Sequence, residues 1–462
     1  MRSSRKQVSS ASHSIPEVRF AEHALTSFGG LVVFQAFLQS IDLRARLRAS
    51  LRHLSSSAAY DFSRIVLLLI VHTLLGWRRL RDLDYYRDDP FVLRVLGLRR
   101  LPDVSTVSRR LGQFDGASVD KLRDLLRDVV GRRVCSASPA RVTLDFDGSV
   151  LSTKARGIEG TAVGYNTERK GCRSYYPLFA MVAQTGQVFD VFHRAGNCHD
   201  SRGAAEFMLH CFEKLREKGF RGHAEARMDS AHFSDATCSA LDDSGVEFSV
   251  SVPFERISEL KEVIERRRVW HRIDDRWSCF EWMWSPNKKS GRRFSCVIFR
   301  QLVHKPRRGP IQLDLFRPVE REFEYKVVLT NKVASPATVL AFHNGRGAQE
   351  GTFAELKTDL PMGYLPSRRE VGNQVWMLSA VLAHALAREL QMTATPPRHE
   401  RNTPTREPLW KLDRVDTMRK RWIQRAARLT RQAGRHVLTF AKGRDAEAEI
   451  RRLIAPWRRV AA

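Results

Sequence analysis

The chain has 462 residues, 43% of them hydrophobic, with 78 Lys and Arg against 51 Asp and Glu for a formal net charge of +27. That hydrophobic content excludes a wholly disordered chain, and at about 150 residues per domain the length allows roughly three units. The charge points to a polyanionic partner, nucleic acid first, because the longest apolar runs, residues 65–77 and 375–387, fall short of the roughly 20 residues that span a bilayer.

The opening MRSSRKQVSSASHS lacks the apolar region of a secretory signal, so the cytoplasm is the expected compartment. Residues 1–20 are polar and expected to be mobile. Residues 21–140 read as a helical region suited to DNA binding: an apolar helix around Ile65, the Arg-rich WRRLRDLDYYRDDP, and a helix starting at Asp103 or Ser105. Ser105 or Thr106 would cap that last helix. Arg109 and Arg110 would stand exposed on it, as a DNA-reading face or as an ordinary solvated one.

From residue 141 the texture changes. VTLDFDGSV alternates Val142, Leu144 and Phe146 with Thr143, Asp145 and Asp147, which puts both aspartates on one strand face. YPLFAMVAQ and QVFDVFH follow as strands joined through Thr185 and Gly186. A helix comes next, capped by Ser201, with Ala205, Met208, Phe212 and Leu215 as its apolar stripe and Gly219 at its end. AEARMD is a fourth strand, HFSDATCSALDDSG a second helix and VEFSVSV a fifth strand. Strand, strand, strand, helix, strand, helix, strand is the order of the ribonuclease H-like fold, an α/β arrangement of a mixed sheet flanked by helices.

Residues 253–322 carry aromatic and charged segments that alternate like strands, and are expected to form a β-rich insertion. FEYKVVLTN resumes the core, so the catalytic unit would comprise residues 141–252 and 323–392. Residues 393–462 open with a Pro- and Thr-rich break and then hold most of a stretch, 391–462, with 18 Lys and Arg against 7 Asp and Glu. Arg421, Arg425, Arg428, Arg431 and Arg435 recur there at helical intervals, the pattern of a basic arm or helical module on DNA phosphates. Seven cysteines, at 135, 172, 198, 211, 238, 279 and 296, include no CxxC pair, so neither disulfides nor structural zinc are expected.

Three acids stand at places that could share a site: Asp147 and Asp229 at strand ends, and Glu350 on a helix whose face would also carry Arg346 and Lys357. Carboxylate oxygens suit hard cations such as Mg²⁺ or Mn²⁺, and two such ions about 4 Å apart can activate an attacking oxygen and stabilise a leaving one at a phosphodiester. Gly148, directly after Asp147, would let the chain turn and open room for metal and phosphate. Asp145, about 6–7 Å back along the strand, would orient a ligand or pair with a basic side chain. Trp282 and Trp284 would share one face of a strand, and an exposed indole there can stack a nucleobase; packing in a small β core is the other reading.

His343, Arg346, Glu350 and Lys357 keep the spacing of a signature that runs Tyr, two residues, Arg, three residues, Glu, six residues, Lys. With Asp147, Asp229 and the segments GCRSYYPLFA and RAGNCHDSRGAAEF, the chain over residues 100–392 resembles bacterial insertion-sequence transposases of the DDE type, nearest the IS1380 family of the IS4-like group. His343 replaces the tyrosine of that signature, an aromatic contact to the DNA strand. The resemblance implies that Asp147, Asp229 and Glu350 hold two Mg²⁺ or Mn²⁺ ions, and that Arg346 and Lys357 grip phosphates. It further implies a homodimer on double-stranded DNA that binds terminal inverted repeats, cleaves the ends and joins them to a target. A nuclease or resolvase of the same fold that cleaves without joining, and a DNA-binding protein that has lost its chemistry, are the competing readings.

Overall fold

The computed structural model describes residues 24–54, 60–164, 166, 169–287, 291–303, 323–398 and 403–460. The polar residues 1–20 and the stretch 304–322 of the expected insertion lie outside these.

Nine strands form the main sheet: β1 (Arg141–Gly148), β2 (Leu178–Val182), β3 (Gln187–Phe192), β4 (His223–Met228), β5 (Glu247–Ser251), β6 (His271–Arg272), β7 (Trp277–Trp284), β8 (Phe294–Leu302) and β9 (Phe323–Thr330). Their order across the sheet is β6-β7-β8-β9-β5-β4-β1-β2-β3. β1 pairs parallel with β4 and β4 parallel with β5, while β1 and β2 pair antiparallel. The central strands are buried on both faces, Thr143 and Asp145 as well as Leu144 and Phe146, because helices cover both sides of the sheet. The fold is thus the expected mixed sheet flanked by helices.

Seven of the helices frame the core and the strand ends: α1 (Phe62–Leu74), α2 (Gly116–Ala137), α3 (Ala204–Glu217), α4 (Asp235–Asp243), α5 (Ser258–Arg266), α6 (Ala348–Thr358) and α7 (Glu370–Ala394). Asp61 caps α1 by accepting the Arg64 amide at 2.8 Å. α7 is buried along almost its whole length and packs on α1 and α2, so the helical N-terminal region and the sheet share one core. Among the described residues no helix is long and apolar enough to cross a membrane, and the seven cysteines are free thiols.

Several expectations change here. The helix of the Arg109 segment runs Val104–Leu111 with Asp103 ahead of it and no side-chain cap bond, so neither Ser105 nor Thr106 caps it. α3 starts at Ala204 with Gly203, at φ 68°, as its cap. Ser201 lies upstream, because only glycine enters that left-handed position without strain. The β strands expected of residues 253–322 are present, by contrast: β6, β7 and β8 continue the main sheet outward from β9, with which β8 pairs from Ser295↔Thr330 to Leu302↔Phe323.

The arginines of the tail are not on one helix. Arg419–Ile423 form a single π turn, and Ala427–Gln432 and Arg435–Phe440 are a hairpin whose first strand pairs with Leu25–Thr26. Ala433 and Gly434, at φ 46° and 78°, make the tight turn, the left-handed pair that a two-residue hairpin needs. Tertiary pairing with the chain's beginning therefore overrides the helical spacing. Gly30 lets the two ends meet: a Cβ there would lie 1.6 Å from the Trp422 carbonyl oxygen.

Candidate active site

The parallel register of β1 and β4 ends at Phe146↔Met228, so the next residues, Asp147 and Asp229, leave the sheet side by side. Asp229 opens a 3-10 turn, Ser230–His232, and its side chain accepts the Ala231 amide at 3.0 Å. That turn brings His232 back over the strand end. Asp147, Asp229 and His232 each offer a ligand atom within 4.8 Å of the others.

Asp147 is held on three sides. Its Oδ1 accepts the Gly148 amide at 2.8 Å, and its Oδ2 accepts Gln349 Nε2 at 2.8 Å and Arg346 Nη1 at 3.3 Å. Burial and the neighbouring Asp229 carboxylate raise its pKa to about 7 against the pull of Arg346. Tyr176 faces Asp200, Asp147 and Asp229, and burial with those carboxylates pushes its phenol up. The Tyr176 ring takes the space beside Gly148 that was expected to admit metal and phosphate: a Cβ on Gly148 would fall 2.4 Å from the ring.

Asp145 points elsewhere. It faces Arg227 directly across the β1–β4 register, and that guanidinium donates to Oδ1 at 2.5 Å and Oδ2 at 2.8 Å. Both side chains are buried. Burial raises the Asp145 carboxyl and Arg227 opposes it. Arg227 also donates to the Phe342 and Thr405 carbonyls.

Glu350 is exposed and is not brought to the aspartate pair. Residues Gly345–Gly347 are 3-10 and α6 begins at Ala348. In a 3-10 turn residues three apart align, so the residue that joins Arg346 on Asp147 is Gln349, and Glu350 lies about 100° further round. Lys357 is half-buried at the end of α6. His343 does not reach the surface: it is 3% exposed and hydrogen-bonds Ser249 Oγ at 3.0 Å and Ser251 Oγ at 2.8 Å. Burial, with Lys326 nearby, lowers its pKa to about 3. Locked to β5, His343 offers almost no exposed surface for the DNA contact that the resemblance implied for it.

Trp284 is buried as well, stacked on Phe233 with centroids 6.2 Å apart, and its Nε1 lies 3.4 Å from Glu259. Trp282 packs half-buried against the main core. Strand alternation aims both at the body of the protein, Trp284 fully and Trp282 in part. Arg109 is exposed, whereas Arg110 lies over the Phe62 ring at 5.0 Å. Arg421 pairs with Glu449 at 2.7 Å and Arg425 bonds the Arg421 carbonyl, while Arg428, Arg431 and Arg435 stand exposed on the hairpin.

The sequence reading missed His232, Gln349, Tyr176 and Asp200. His232 left a trace as a histidine three residues after a candidate acid, and Tyr176 and Asp200 lie within GCRSYYPLFA and RAGNCHDSRGAAEF, segments already singled out without a role for either residue.

The donor set fits a divalent cation. Two carboxylates converge, one of them disfavoured as an anion by burial and by the other, and the imidazole beside them has no hydrogen-bond partner on either nitrogen among the described residues. A cation supplies the missing charge and accepts those lone pairs.

Residues 9–461 match the family described as Transposase DDE domain group 1. No curated protein matches the chain. Among solved structures, the piggyBac transposase synaptic complex with hairpin DNA is similar with a TM-score of 0.41 and 13% identity, covering 85% of this chain and 78% of that one. The Drosophila P element transposase strand transfer complex follows at 0.23 and 14%, covering 46% and 41%. The Mos1 transposase paired-end complex with left transposon end scores 0.18 at 13%, covering 37% and 56%.

Proposed function

The chain belongs to the Transposase DDE domain group 1 family, and from that premise we propose that it cuts the terminal inverted repeats of its own insertion sequence and joins them to target DNA. The narrower reading is a bacterial, cytoplasmic enzyme of the IS1380 kind acting as a homodimer on double-stranded DNA. The observation that carries the DNA-cutting reading is the convergence of Asp147 and Asp229 at the ends of adjacent parallel strands.

Asp147 and Asp229 would hold Mg²⁺ or Mn²⁺ by their carboxylates, with Glu350 as the third acid that the family signature assigns. Bound there, the ions would supply Lewis acidity, lowering the pKa of an attacking water or 3′-hydroxyl and offsetting charge on the phosphoryl oxygens. Gln349 and Arg346 orient Asp147 through its Oδ2. Arg346 also has the planar donor geometry that grips a phosphate when DNA enters, and Lys357 adds a point charge at the end of α6. The +27 net charge supports DNA as the partner, and Arg109, Arg428, Arg431 and Arg435 are exposed cations suited to its backbone.

Incubating the protein with labelled end DNA, a target plasmid and Mg²⁺ or Mn²⁺ tests this reading. Cleaved ends that become covalently joined to the plasmid are expected. Cleavage without joining would establish a nuclease instead.

A further inference from the structure

We propose that His232 is a ligand of the cation held by Asp147 and Asp229, and that its nitrogen makes this centre favour a first-row transition ion such as Mn²⁺ over Mg²⁺. The inference rests on the metal-site reading of the aspartate pair and adds a donor that the three-acid signature does not contain.

The side chain of His232 is fully buried. Asp229 and Asp200 face its ring, and the Asp200 main chain lies close enough to act on it electrostatically, yet among the described residues neither ring nitrogen meets a partner in full hydrogen-bonding geometry. A buried polar group left in that state costs about 1–3 kcal/mol. His343 shows the alternative in the same protein, a buried imidazole with both nitrogens engaged by serine hydroxyls.

The spacing also fits. His232 Nε2 lies 4.0 Å from Asp229 Oδ1, beyond a hydrogen bond. Donors on one cation at about 2.0–2.2 Å sit roughly 3–4 Å apart, depending on whether they are adjacent or opposite. The Asp229 carboxylate caps the turn that carries His232, so the two donors are positioned by one short segment. Glu350, by contrast, is exposed in this arrangement. Mg²⁺ takes oxygen almost exclusively, whereas imidazole suits transition ions.

The test is pulsed electron paramagnetic resonance of full-length, tag-free protein titrated with Mn²⁺, with competition by Mg²⁺. The expected result is bound Mn²⁺ whose echo envelope carries ¹⁴N modulation from a directly coordinated imidazole. In His232→Gln the modulation should vanish, Mn²⁺ affinity should fall by about tenfold or more, and the preference over Mg²⁺ should narrow. His232→Asn, with circular dichroism on both variants, separates lost ligation from misfolding, and the wild-type spectrum stands without either. Mn²⁺ bound without nitrogen modulation, or modulation that persists in both variants, overturns the role of His232 while leaving the aspartate site intact. Absence of binding to wild type, or binding unchanged in Asp229→Asn, overturns the metal-site reading itself.

Discussion

Asp145 and Asp147 are two residues apart on one strand and have opposite duties, which a single pair of substitutions can separate. Asp145→Asn leaves the Arg227 guanidinium buried without its counter-charge, so it should lower stability by about 3 kcal/mol in chemical denaturation. Asp147→Asn removes a carboxylate that burial and Asp229 disfavour. It should hold or raise the stability of the metal-free protein, by roughly 1 kcal/mol or more, while abolishing end cleavage at any Mg²⁺ or Mn²⁺ concentration. Matching losses of stability in the two variants would contradict the distinction. Periodicity alone placed both aspartates on the same side and could not choose between them. The choice lies in the cross-strand neighbour Arg227, a tertiary fact. His232 and Gln349 were hidden for a related reason: a short 3-10 turn has no long apolar period, and in the segment before α6 it shifts the phase by which Arg346 and Glu350 would have aligned.

At the scale of elements, strands and helices with strong alternation or apolar stripes were legible, including β1, the β2–β3 hairpin, β4, α4, β5 and α7. What failed was spacing without burial. The arginines from 421 to 435 fit a helix in sequence, but Leu429 and Leu438 are partly buried against the main core across a strand pair, and Ala433–Gly434 supply the turn. The hairpin still presents Arg428, Arg431 and Arg435 at the surface. Replacing Arg428, Arg431 and Arg435 with Gln should flatten the dependence of log affinity for end DNA on log salt by about 0.9 for each phosphate no longer neutralised. Thermal stability should stay unchanged for the Arg431 and Arg435 replacements, because these two side chains are exposed. An unaltered salt slope would take the hairpin off the DNA.

Across the whole molecule, distant segments are tied through buried charges. Glu225 on β4 receives Arg406 at 2.8 Å through two nitrogens, Lys332 at 2.7 Å and Arg141 at 3.1 Å. Burial alone would raise its pKa, but Arg406 and Lys332 hold it at about 2. A carboxylate depressed in the folded state adds stability above its unfolded pKa of about 4.5, and that stability is lost as pH falls toward 2. The loss should amount to about 3 kcal/mol in urea titrations, and the Glu225→Gln variant should lack that part of the acid transition. Such crossings were not readable from sequence, because they depend on residues 403–412 returning over the sheet after α7, where the Leu409 amide bonds the Gln184 carbonyl. The same closure places Trp422 and Ile423 in the core shared with the N-terminal helices, so the C-terminal region is part of the body that presents the site. On the proposed reading that body presents the aspartate pair for metal-dependent DNA chemistry, and the most direct test is a joining assay with wild type and Asp229→Asn on the same labelled end DNA. The wild type should cleave and join in Mg²⁺ or Mn²⁺, and Asp229→Asn should do neither while still retarding the DNA in a gel. Cleavage and joining by Asp229→Asn at the wild-type rate would contradict the assignment.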